Sequence, residues 1–111
     1  MPDPVLLYDV TDHLATITLN RPEAMNALTR ELYAELEAAV RKSHADPDVR
    51  VVIINGGEGR AFCSGDDVKQ IMLGEQRDAS TARLRDVRPR PTPAAAAILE
   101  CDKPVIAAVN G

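Results

Sequence analysis

Aromatic residues are scarce in this chain: two tyrosines, one phenylalanine and no tryptophan in 111 residues. Stacking platforms for bases or sugar rings are therefore not expected. Basic residues are the minority, 13 against 17 acidic, for a formal net charge of −4. A protein that tracks a phosphate backbone needs a basic face, so a nucleic-acid partner is not expected either. Only two cysteines occur, Cys63 and Cys101, far apart and outside any CxxC or Cys/His cluster. Neither a disulfide framework nor a metal site is expected from them, and a reduced, cytoplasmic setting is the default. Nothing approaches the roughly 18 apolar residues of a membrane span. The opening segment from Met1 to Val10 lacks the basic-then-apolar order of a signal peptide.

What is present fits one small domain and not two. Hydrophobic residues make up 45% and charged residues 27% of the sequence, enough for a core. Val5 to Val10 reads as a short strand, and Asp9 to His13 as a polar turn. In Leu14 to Leu19, Ala15, Ile17 and Leu19 alternate with Leu14, Thr16 and Thr18, the period of a half-buried strand. The two strands suggest a hairpin. Asn20-Arg21-Pro22 ends the second strand, because Pro22 has no N–H and keeps Arg21 extended. Glu23 to Leu28 reads as a loop.

Thr29 is a candidate N-cap, with Glu31 near the positive end of the helix that follows. Leu28, Leu32, Leu36 and Val40 form an apolar stripe, broadened by Tyr33 and Ala39. Glu37 and Arg41 are spaced for an i,i+4 pair. Asp46-Pro47 stops the helix. Val49 to Asn55 is a β-branched run, the mark of a strand buried on both faces of a parallel sheet. Strand, crossover helix and parallel strand make an α/β unit. A glycine loop, Gly56 to Arg60, follows. Asp66 or Asp67 can cap a short helix containing Val68, Ile71, Met72 and Leu73 and ending at Gly74. Residues 75–93, rich in Arg, Asp and Pro, read as a mobile loop. Ala94 to Leu99 suits a helix, and Val105 to Asn110 a second buried strand. Both apolar strands ask for covering layers, so the isolated chain is expected to be marginally stable.

The chemistry-bearing residues admit several readings. Gly57 and Gly59 begin a GxGxxG pattern, but position 62 is Phe, and no GK[ST] ends a P-loop. Ser64 lacks a GxSxG frame, and Cys63 lacks a histidine partner, since His13 and His44 fall in a turn and at a helix end. Asp66-Asp67 alone makes a weak metal site. Arg83 to Arg90 reads as a solvated cluster. The run Ala61-Phe62-Cys63-Ser64-Gly65-Asp66-Asp67-Val68 is more informative. Small residues there let backbone approach a ligand, and free N–H groups at a helix start can receive an anion or a developing oxyanion. A plain capped loop is the alternative.

Three segments together resemble the crotonase (enoyl-CoA hydratase/isomerase) superfamily. Asn20 to Leu28, NRPEAMNAL, is similar to its NRPxxxNAL segment. Ala61 to Val68, AFCSGDDV, is similar to its AFCAGxDL loop. Lys103 to Gly111, KPVIAAVNG, is similar to its strand of the same sequence. The resemblance implies an α/β fold, the first turns of a spiral of ββα units, assembled as homotrimers or hexamers when complete. It implies an acyl-CoA thioester as substrate, with no separate bound cofactor, and an enolate held by two backbone N–H groups. The first donor would be the N–H of Asp66. Ser64, Gly65, Asp67 and Val68 would line the CoA and thioester path; Ala24, Met25 and Ala27 would touch nucleotide and pantetheine; Arg60 would lie near the CoA phosphates. CoA is polyanionic, but local donors among the 13 basic residues suffice for it. A carboxylate at position 66 is unfavourable beside an oxyanion unless it points away or is paired. The second donor and the acid/base glutamates of hydratases lie after position 111 in the family, so this stretch alone is expected to be inactive. The alternative is a non-enzymatic CoA-binding or assembly module.

Overall fold

The computed structural model describes residues 3–68 and 92–111. Strand β1 spans Leu6–Thr11 and β2 spans Leu14–Leu19, paired antiparallel from Leu6↔Leu19 to Thr11↔Leu14. Their turn is tighter than the sequence suggested. The strand runs on to Thr11, and only Asp12 and His13 turn, both at positive φ (52° and 66°). Two successive left-handed residues give a primed turn, whose twist matches that of the strands. Asp and His tolerate this region better than most side chains.

Helix α1, Arg30–Ala45, leads from β2 to β3, Val51–Asn55, which lies parallel to β2. Thr29 caps α1 as expected, its hydroxyl accepting from Leu32 N–H at 3.1 Å. Leu28 does not join the helix; it sits before the cap. Arg41 bonds Glu37 at 3.2 Å. Helix α2, Pro93–Glu100, leads to β4, Val105–Ala108, parallel to β3. Thr92 caps α2 and Pro93 occupies its first turn, so the loop expected up to Pro93 stops short of it. Proline suits that position because its missing N–H would be unpaired there anyway. The helix expected after Asp67, the arginine cluster at 83–90 and the rest of the proposed loop fall outside the described residues.

The sheet order is β1-β2-β3-β4. The parallel register sets Ala15 beside Val52 and Ile17 beside Ile54. These four side chains and Leu19 form one buried face. α1 covers it with Leu32, Leu36, Ala39 and Val40, and α2 adds Ala94 and Ala97. β3 departs from the expectation of burial on both faces. Val52 and Ile54 are buried, but Val51 and Ile53 are only half-buried. Ile106 on β4 is 51% exposed and Val109 beyond it 66%. The reason is layering: among the described residues, both helices contribute their buried side chains to one face of the sheet.

One long-range tie secures the last strand to α1. The Lys103 ammonium donates to the carbonyls of Ser43 and Asp46 at the helix C-terminus. Those carbonyls lie at the negative end of the helix dipole, and each also accepts a backbone N–H, Ser43 from Asp46 at 3.3 Å and Asp46 from Val49 at 3.1 Å.

Candidate active site

The parallel strands β2, β3 and β4 deliver three segments to their carboxyl ends, where open α/β sheets usually bind ligands. The first follows β2. Pro22 opens a 3-10 turn over Pro22–Ala24, and Met25 and Asn26 then take left-handed backbone, φ 51° and 55°. This turns the chain back on itself and drives the Asn26 side chain inward, where it is fully buried. Its Oδ1 accepts from Arg21 N–H at 2.8 Å. Its Nδ2 faces the carbonyls of Gly56, Phe62 and Ala61 at 2.9, 3.0 and 3.1 Å. One amide thus ties the turn after β2 to both ends of the loop after β3.

That loop is the second segment. Gly56 must be glycine, since an added Cβ would stand 2.6 Å from the Phe62 Cα and 2.8 Å from the Ala61 carbonyl oxygen. Gly65 adopts φ 102°, which L side chains rarely do. The two segments then zip together in parallel. Ser64 N–H donates to Met25 C=O at 3.0 Å, Leu28 N–H to Gly65 C=O at 2.8 Å, and Asp67 N–H to Leu28 C=O at 2.9 Å. Leu28 and Asp66 form the bridge between them. Because Gly65 C=O and Asp67 N–H both point at Leu28, the N–H of Asp66 points to the opposite side. Arg21 locks the pairing from below, its guanidinium reaching Ala27 C=O and, at 3.4 Å, the Asp67 carboxylate.

The residues singled out from the sequence divide accordingly. Met25, Ala27, Ser64, Gly65, Asp66 and Asp67 come together in the zipped segments, with Ala24 in the turn beside them. Met25 is 50% exposed and Val68 is 62% exposed, so both have apolar surface to offer. Asp67 does not offer its side chain: the carboxylate is turned in against Arg21 and only 16% exposed. Arg60 is exposed, and its carbonyl abuts Gly111, the third segment, where an added Cβ would lie 2.2 Å away. Cys63 is half-buried, and its Sγ receives the N–H of Gly65 at 3.5 Å. His13 bonds Asp48 C=O and His44 pairs with Asp102, so neither partners Cys63 or Ser64.

Three residues of this neighbourhood were not singled out from the sequence: Arg21, Asn26 and Tyr33. The first two sit within the NRPEAMNAL segment, where a polar residue beside a proline turn was the available signal. Tyr33 looked like part of the apolar stripe. Its hydroxyl instead donates to the Asp66 carboxylate. Burial, then the hydrogen bond and the negative charge of Asp66, push the Tyr33 phenol up to about 12. The carboxylate at position 66 is therefore hydrogen-bonded rather than free. A cavity of about 310 Å³ opens beside the pair, lined in part by Arg30, Glu37, Thr92 and Pro93.

Fold and site define an α/β chain whose candidate ligand surface is chiefly backbone, displayed where three parallel strands end. The chain belongs to the enoyl-CoA hydratase/isomerase family, whose model matches residues 9–111. It is 40% identical over 111 residues to "Probable enoyl-CoA hydratase EchA14" of Mycobacterium tuberculosis, covering 98% of this chain and 40% of that protein. It is 40% identical over 108 residues to the (E)-benzylidenesuccinyl-CoA hydratase of Thauera aromatica, covering 97% and 40%. Among solved structures, an enoyl-CoA hydratase/isomerase from Xanthobacter autotrophicus Py2 superposes with a TM-score of 0.73 at 38% identity, covering 96% of this chain and 39% of that one. The chain thus spans about two-fifths of the length of these relatives, and corresponds to the N-terminal portion of the crotonase fold.

Proposed function

We propose that this chain supplies the first half of an acyl-CoA site: a CoA-binding wall and the first of two backbone donors that hold a thioester enolate. The observation that carries the reading is the direction of the Asp66 N–H. The bridge to Leu28 uses the groups on either side of it and leaves this donor facing away. A backbone donor held by a rigid pairing stabilises developing negative charge without reorganising. Exposed Ser64, Val68 and Met25 lie on the same two segments and suit a thioester and its pantetheine arm. Gly111 lies against Arg60 at the same end of the sheet, which suits a second donor entering just after it.

In the complete enzyme, water would add across the double bond of a 2-enoyl-CoA. The oxygen of water bonds the β-carbon, the electron pair moves onto the thioester oxygen as an enolate, and a proton then returns to the α-carbon. Asp66 N–H would hold that oxygen. Carboxylates that move the protons belong to the family's residues after position 111. Loss of one oxyanion donor costs roughly 2.7–4 kcal/mol of transition-state stabilisation, and the acid and base are lost with it. Residues 1–111 by themselves therefore bind a CoA thioester weakly and do not turn it over. The complete protein is a cytoplasmic homotrimer or hexamer in the same reading.

Calorimetry and a hydration assay with crotonyl-CoA test both halves. Heat at millimolar ligand with no turnover is expected of this chain. Turnover at ordinary enzyme rates, on the order of 1–1,000 per second, would remove the claim of inactivity. A folded chain that gives no heat would remove the CoA wall.

A further inference from the structure

An aspartate is an awkward neighbour for its own N–H when that N–H must serve a ligand. Asp side chains readily fold back onto nearby backbone N–H groups. A free carboxylate at position 66 would compete for the donor and set a negative charge beside the oxyanion. One residue, Tyr33, engages that carboxylate and holds it on the side of α1. Tyr33 lies in the first turn of α1, where its own N–H donates to Thr29 C=O at 2.9 Å and Thr29 in turn caps the helix. From that fixed base its hydroxyl reaches across to Oδ1 of Asp66. The carboxylate is thereby engaged by α1, while the bridge between Leu28 and Asp66 fixes the backbone independently.

We propose that Tyr33 is a positioning residue of the oxyanion site: it holds the Asp66 carboxylate against α1 so that the Asp66 N–H stays free for the thioester oxygen. The proposal rests on the reading of that N–H as a donor. Tyr33 touches neither substrate nor the reacting atoms; it acts through Asp66. It explains how an acidic residue can stand at this position without disabling the site.

The test is a double-mutant cycle in the full-length protein, with crotonyl-CoA as substrate. Tyr33→Phe keeps the ring and removes the hydroxyl. It is expected to lower kcat about tenfold with KM for the thioester little changed, because the oxyanion charge exists only in the transition state. In the Asp66→Asn background there is no charge to restrain, and adding Tyr33→Phe is expected to cost less than twofold more. Thermal melts establish that each variant folds. Should Tyr33→Phe not fold, Tyr33→His, which retains a donor, is expected to preserve kcat within about threefold; a tenfold loss in it while folded overturns the proposal. A Tyr33→Phe loss of the same size in both backgrounds overturns the positioning role and leaves the donor reading intact. No turnover of the thioester by the wild-type full-length protein overturns both together.

Discussion

Replacing Asn26 by alanine removes the link between the turn after β2 and the loop after β3. The amide makes four contacts of 2.8–3.1 Å and is fully buried. Truncation leaves Arg21 N–H and the Gly56, Ala61 and Phe62 carbonyls without their partner. A buried polar group left unpaired costs about 1–3 kcal/mol. Nδ2 has only two protons for three carbonyls, and water can reach those near Phe62, so about three orphaned groups at the low end of that range is a fair sum. Left-handed backbone adds about 1 kcal/mol for alanine over asparagine. The expected loss is about 4 kcal/mol, against a total of roughly 5–15 kcal/mol for a typical domain. Urea unfolding followed by circular dichroism reads it directly, with linear extrapolation. Asn26→Gly separates the two causes: it relieves the backbone strain and should recover about 1 kcal/mol only. A loss below about 1 kcal/mol for Asn26→Ala would refute the reasoning, since water would then be replacing the amide at no cost.

Three further outcomes are expected. Lys103→Met strips two acceptors at the end of α1 of their cation and should cost about 1–2 kcal/mol in the same urea experiment; an unchanged midpoint would show that the ammonium is spare. Tyr33 should ionise near 12 in a spectrophotometric titration, and Asp66→Asn should lower that value. A folded-state value raised above the ordinary 10 means that the neutral phenol is favoured by folding. Its stabilisation is therefore complete below pH 10 and disappears as the pH climbs toward 12; a phenol titrating at 10 in the folded chain contradicts the pair. Finally, with Ile106 and Val109 exposed, residues 1–111 alone should melt cooperatively below about 60 °C; a higher midpoint would show that the open sheet face needs no cover.

Much of the fold is carried by local pattern. Alternation marks β2, the four-residue stripe with its threonine cap marks α1, and the β-branched run marks β3, because period and capping depend on neighbours within a few positions. The exposed face of β3 was not readable, since a continuous apolar strand looks the same whether one layer or two lie over it. Family membership was legible too, in three segments whose order and spacing match.

By itself, the sequence determined the α/β order, the cap at Thr29, the turn at Pro22 and the small-residue loop from Cys63 to Gly65, all from local stereochemistry. Only the tertiary structure decided how Asn26, Tyr33, Asp67 and Lys103 are used. Each bonds a group some 30 to 60 positions away, and for Asn26 and Lys103 those groups are backbone carbonyls, which every residue possesses and no sequence pattern marks.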